Sequence, residues 1–259
     1  MKSSCFVDLS LPLVDGGGFG TPAQMRYLDH RTRADLLVEK FGVTIDGLQG
    51  RANSMEEFSY LHSHCATHFD APWHYTDMVN GEPAMSIDQV PLDWCCGDGV
   101  VLDLSWKECG EDITAEELRR ASETIKYAIK PNDIVLVRTD TSAYYGQPGC
   151  ELMNPGVTRE GTLWLADQGV RVVGIDAGCW DRPPQIMLEE IRAGIKGKYM
   201  QGHRAAGERG MCILEWLTNL ELLPVFGFKV YAFPVKIERG SAGWVRAVAI
   251  IGDEARQRM

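Results

Sequence analysis

Between residues 100 and 176 short β-branched runs alternate with two capped helical segments, and this order limits the folds open to the chain more than any other feature. "VVLDL" at 100–104, "IVLVR" at 134–138 and "RVVGI" at 171–175 read as buried strands. Between the first two lies "TAEELRRASETIKYAIKP", in which Thr114 and Glu117 form a capping box and Pro131 follows the end. Between the last two lies "TREGTLWLADQGV", with Thr158 as N-cap and Gly169 as stop. Strands separated by helical crossovers predict an α/β domain with parallel pairing.

The flanks differ. Runs at 6–9, 211–214, 229–237 and 244–250 read as further strands, and the last two are expected to close as a hairpin with "ERGSAG" as its turn, making the sheet mixed. Residues 11–60 hold "DGGGFGTP", an amphipathic stretch at 29–40 and then polar sequence; they are expected to form a mobile lid or insertion. With no repeat, linker or low-complexity tract in 259 residues, one domain over 1–259 is the expectation.

A formal net charge of −10, with no Lys/Arg-rich block, argues against nucleic acid as a partner. No apolar run is long enough for a signal peptide or a membrane span, so a cytoplasmic protein is expected. The eight cysteines are scattered through a chain too large to need staples, and they are read as reduced thiols.

Four of the six histidines fall in "HSHCATHFDAPWHY", residues 62–75. A lone histidine is more often a packed or solvated side chain than a ligand, but four of them around one aspartate point to a metal ion. A straight strand would hold positions 64 and 68 about 13 Å apart, too far for one ion. A bend from 64 to 68 that leads into an extended 68–70 would converge His64, His68 and Asp70, and Pro72 would then fix the exit. Cys65 alternates away from His64. His74 could face the same pocket without being a ligand, and Trp73 and Tyr75 beside it could wall an aromatic substrate. Three donors leave a position for water, which marks a catalytic ion.

"HCATHFDAPWH" resembles the H-x-G-T-H-x-D-A-P-x-H signature of the metal-dependent cyclase-like hydrolase family, the family of bacterial kynurenine formamidases and isatin hydrolases. "FVDLSLPL", "IVLVRTD", "VVGIDAGCWD" and the segment from "ILEWLTNLELLP" to "GWVRAVAI" are similar to family segments in the same order. The resemblance implies a swivelling β/α/β fold with a mixed sheet flanked by helices, usually assembled as a homo-oligomer, a dimer or tetramer. It implies one or two divalent ions per chain, Zn or Mn, with His64, His68 and Asp70 at the first and Asp70, His203 and Glu215 at the second. His74 would be the catalytic acid/base. The chain departs from the signature at Ala66, where the motif has glycine.

No H-E-x-x-H, G-x-S-x-G or P-loop occurs, so other catalytic signals are weak. The expected activity is hydrolysis of an amide, lactam or lactone in a small aromatic or cyclic compound by metal-activated water. Arg204 or Arg138 could set the local field. The alternatives are a ring-closing or dehydrating enzyme using the same ion, and a non-catalytic small-molecule binder.

Overall fold

The β-branched runs in the middle of the chain do pair in parallel. In the computed structural model, which describes residues 5–17 and 23–253, the first strands are β1 (Cys5–Asp8), β2 (Gln24–Leu28), β3 (Met55–Tyr60), β4 (His68–Asp70), β5 (Met78–Val79) and β6 (Glu82–Pro83). Next come β7 (Cys96–Asp103), β8 (Asp112–Ile113), β9 (Ile134–Arg138), β10 (Gly156–Val157), β11 (Val172–Ile175) and β12 (Cys212–Glu215). The chain closes with β13 (Phe226–Tyr231), β14 (Ala242–Trp244) and β15 (Val248–Ile251). The helices are α1 (His30–Phe41), α2 (Ala115–Thr124), α3 (Arg159–Asp167), α4 (Pro184–Arg192) and α5 (Gln201–Arg209).

Nine strands form one mixed sheet in the order β1-β15-β13-β7-β9-β11-β12-β4-β14. The central four, β7, β9, β11 and β12, are parallel and the flanking pairs antiparallel. Both faces are covered, so the central strands bury both sets of side chains. Val101, Leu136 and Leu214 point into one core, and Val100, Val135, Val137 and Ile213 into the other. The second core also takes Leu118 of α2, Leu165 of α3 and Ala206 of α5. The result is one α/β domain.

Both predicted caps are present. Thr114 and Glu117 exchange their capping hydrogen bonds, and Thr158 accepts from the Gly161 amide. The first of these helices ends sooner than Pro131 suggests. It stops at Thr124, because Lys126 turns left-handed (φ 54°) and the Ser122 hydroxyl and carbonyl are taken up by the backbone of Tyr127.

The C-terminal hairpin is corrected. "ERGSAG" does turn, and the Val235 amide reaches across it to the Trp244 carbonyl at 2.9 Å. But the strand of 229–237 ends at Tyr231, and the run of 244–250 splits into β14 and β15. Pro234 explains the first break, since it has no N–H to continue a ladder. β15 still pairs with β13, while β14 leaves to pair with β4.

Residues 24–60 are more ordered than a lid without structure would be. β2 and β3 form a separate two-stranded sheet joined by α1, whose N-cap is Asp29. Part of the glycine-rich stretch, 18–22, lies outside the described residues. Among the described residues no helix is long and apolar enough to cross a membrane.

Candidate metal centre

The turn before β4 bends the histidine cluster into a site. Ala66 is left-handed there, φ 50°, a conformation that costs a residue with a Cβ about 1–2 kcal/mol. Alanine thus takes up the conformation that favours glycine. Its carbonyl accepts from His68 Nδ1 at 2.8 Å. Thr67, buried beside it, donates its hydroxyl to the Trp216 carbonyl and accepts the Leu11 amide at 2.8 Å. From there β4 runs extended, so His68 and Asp70 share one face while Phe69 enters the opposite core.

Sheet register supplies the next donor. His68 pairs with Glu215 and Asp70 with Ile213, which stands Glu215 beside His68 with Nε2 and Oε2 3.5 Å apart. Glu215 ends the parallel strand β12, and the carboxyl ends of such strands are where open α/β sheets bind ligands.

His203 arrives from the first turn of α5. The amides of Gly202 and His203 donate to Asp181 at 2.7 and 2.9 Å, and His203 Nδ1 bonds the same carboxylate at 2.7 Å. Its Nε2 therefore faces inward, 3.3 Å from Glu215 Oε1 and 3.9 Å from Asp70 Oδ2. His64 Nδ1 lies 3.0 Å from Asp70 Oδ1, while its Nε2 contacts Ser241 Oγ at 3.0 Å. His74 closes the group, with Nε2 4.0 Å from Asp70 Oδ2 and its ring 4.1 Å from that of His64.

Three imidazoles thus have one nitrogen tied to surrounding protein and the other aimed at the carboxylates, the arrangement that orients metal-ligating histidines. His68 Nε2 and both Asp70 oxygens are buried without a hydrogen-bond partner. Each such group costs about 1–3 kcal/mol when left unmade. A divalent cation among them would satisfy all three atoms, so the residues fit the ion the resemblance implies.

The charges agree. Burial would keep Asp70 and Glu215 protonated, yet His68 beside Asp70 and His203 and His68 beside Glu215 win, holding both carboxyls low, Glu215 at about 2. Burial likewise opposes a charge on His68, but Asp70 and Glu215 push it up to about 9; His203 is raised by Asp181 and Glu215 against the same penalty. His74 goes the other way. Burial, with His64 and His203 adding to it against Asp70, takes it down to about 4, so it is neutral near pH 7.

The donor atoms fall into three overlapping groups: His64, Asp70 and His74; His68, Asp70 and Glu215; and Cys179, His203 and Glu215. All five ligands expected from the sequence therefore lie together, with His74 beside them. Asp181, Ser241 and Cys179 had no sequence signal of their own, since each reaches the site only through the fold.

The centre floors a cavity of about 350 Å³, within the range of small-molecule sites. Its walls differ from those expected. Trp73 is half exposed and Tyr75 packs behind His74 and His203 with its hydroxyl bonded to the Met211 carbonyl; neither lines the cavity. Tyr60, His62, Pro184 and Met200 do. Among the described residues no arginine or lysine lines it, Arg204 and Arg138 included; Arg138 is held by Asp140 and Asp103.

An α/β sheet with a buried histidine and carboxylate centre at its strand ends defines a class of proteins suited to holding a divalent cation. This chain belongs to the putative cyclase family, whose model matches residues 7–182. It is 30% identical over 188 residues to a kynurenine formamidase of Erythrobacter litoralis, covering 73% of each chain. It is 27% identical over 206 residues to an isatin hydrolase of Roseibium aggregatum, covering 74% of this chain and 73% of the relative. The fold matches an isatin hydrolase bound to the product analogue thioisatinate, with a TM-score of 0.76 at 20% identity, covering 96% of this chain and 93% of the other. These relatives place the chain among hydrolytic enzymes.

Proposed function

We propose that the protein is a divalent-metal hydrolase that opens an amide, lactam or lactone bond in a small neutral aromatic or cyclic compound. The observation that carries this reading is the set of inward-facing nitrogens of His64, His68 and His203, residues that line a cavity of substrate size, with the orphaned Asp70 oxygens buried against them. His64, His68, Asp70, His203 and Glu215 would hold the ion or ions, zinc and manganese both suiting such donors. When bound, the metal supplies a Lewis acid for the substrate carbonyl and a water acidic enough to attack near neutral pH.

The chain's residues supply the rest. Neutral His74 can accept a proton at Nε2 and return it to the leaving nitrogen or oxygen. Asp181 keeps the proton of His203 on Nδ1, and the Ala66 carbonyl does the same for His68. Tyr60 and His62, entering from the end of β3, offer apolar and aromatic contact, which supports reading residues 11–60 as a lid. Among the described residues no arginine or lysine lines the cavity, which favours a substrate without a carboxylate. Exposed Tyr27, Phe41 and Phe58 on the same arm support a homo-oligomer.

The family's name keeps a ring-closing reaction in view, since a site that opens a lactam can also form one. A panel of an N-formyl arylamine, isatin and simple lactones, run with metal-loaded and chelated protein, separates the readings. Chelator-sensitive hydrolysis of one member is expected. Ring closure of the opened acids without hydrolysis would replace the proposal, and silence with metal bound would count against both.

A further inference from the structure

Among the described residues grouped as possible metal donors, Cys179 is the one that the proposed mechanism does not use. It follows β11 in the loop 176–183, and its Sγ and the donor atoms of His203 and Glu215 all lie within 4.8 Å of one another. All three residues are buried. Cys65, Cys95 and Cys212 are also buried, but among the described residues none of them joins such a group.

The backbone holds Cys179 in this position. Its carbonyl accepts from Asn154 Nδ2 at 3.2 Å, and the next amide, Trp180 N, donates to Glu215 Oε1 at 2.7 Å. On the other side, Gly178 is covered by the Trp216 indole so closely that a Cβ there would lie 2.3 Å from the ring. The loop cannot slide away without breaking its bond to Glu215. Around the sulfur stand the Asp181 backbone amide, which donates to it, Met200 Sδ at 4.0 Å, a weak contact, and the donor atoms of His203 and Glu215.

A bland reading exists, in which Cys179 is a small apolar wall residue. Against it stands the chemistry of its neighbours. The inward His203 Nε2 is 3.9 Å from Asp70 Oδ2, an oxygen that is buried and has no hydrogen-bond partner, so a cation is wanted beside His203, the histidine that Cys179 adjoins. Bonds of about 2.0–2.3 Å to nitrogen, oxygen and sulfur need donors spaced somewhat closer than the limit seen here, a distance that a turn of one short side chain covers.

We infer that Cys179, His203 and Glu215 form a thiolate-bearing subsite of the centre, which takes a thiophilic divalent ion such as zinc or cobalt in preference to manganese. The inference rests on the metal centre proposed above. Binding forms one metal–sulfur bond and releases the thiol proton to solvent, with no change of oxidation state. Soft sulfur favours zinc and cobalt, whereas a site of imidazole and carboxylate alone accepts manganese readily.

The test uses the full chain stripped of metal and reloaded with cobalt(II), followed by absorption spectroscopy and metal analysis. The wild type is expected to show a near-ultraviolet thiolate-to-cobalt charge-transfer band that Cys179→Ser and Cys179→Ala both lose while still binding cobalt. The ratio of zinc to manganese affinity should fall in both variants by about tenfold or more, the low end of what losing even an outer-shell partner costs a metal site. Cobalt bound without the band, or a band that persists in both variants, overturns the thiolate ligand and leaves the histidine and carboxylate centre standing. Failure of the wild type to bind cobalt, zinc or manganese overturns the centre as well.

Discussion

The centre and the β2–α1–β3 arm are built in opposite ways. Every residue of β4 and β12 is buried, and their polar atoms are either tied to the backbone or turned toward one another. Every residue of β3 is exposed, α1 buries only Ala34, and the two strands of the arm pair with each other alone. The arm nevertheless sends Tyr60 and His62 into the same cavity. One cavity is thus bounded by a floor that has little freedom and a wall that has much. Chemistry can stay fixed on such a floor while substrate preference changes in the wall.

The sharpest way to break this contrast is at Asp70. Asp70→Ala leaves His68 and His203 facing a buried gap, and removing one partner of a buried ion pair costs roughly 3–5 kcal/mol. Metal content and activity should both vanish, with a lowered denaturation midpoint; a variant that keeps its metal would show that the floor is not as interdependent as described. His74→Ala comes next. Turnover should drop by about 10²–10⁴-fold with the metal retained, as metal analysis beside kcat will show.

Proton competition gives a smaller, signed effect. In the metal-free protein His68 is raised from 6.5 to about 9, so its stabilising charge is fully present below pH 6.5 and is lost as pH rises through about 9. The gain in urea midpoint on adding metal should therefore grow from pH 6.5 to 9. A gain that shrinks over that range would contradict the proton placement.

Changes in the arm should be milder. Tyr60→Ala is expected to raise KM several-fold with kcat and metal content little changed, and global stability should move by no more than about 0.5 kcal/mol, as is usual for exposed sites. A collapse of metal binding in this variant would erase the distinction between floor and wall. Of opposite sign to all of these, Ala66→Gly should stabilise the chain by about 1 kcal/mol, because glycine meets no Cβ penalty at φ 50°. The denaturation midpoint reports it directly.

The sequence revealed the floor unevenly. His64, His68 and Asp70 were legible because a bend and a two-residue alternation are local rules. His203 and Glu215 became legible only through resemblance, since their place depends on α5 and on the register of β12 against β4. α5 itself gives little pattern: the residues it buries besides His203 are Gly202, Ala205, Ala206 and Gly207, so close packing replaces an apolar stripe. Asp181 escaped notice because one aspartate among many acquires meaning only when two amides and an imidazole converge on it. In the C-terminal region, alternation suggested a simple hairpin, and the pull of β4 on β14 could not be seen from either segment alone.

β4 also sets the order in which the protein can be assembled. It is flanked by β12 and β14, so Asp70 sits between Ile213 and Ala242, partners far along the chain. Pairings of this reach close large loops and form late in folding. On a ribosome the cluster at 64–70 would be synthesised early and wait, its sheet partners unmade, until nearly the whole sequence had emerged. Metal capture would then report on completed folding, and a chain halted before β14 would carry all five proposed ligands yet leave one edge of β4 bare.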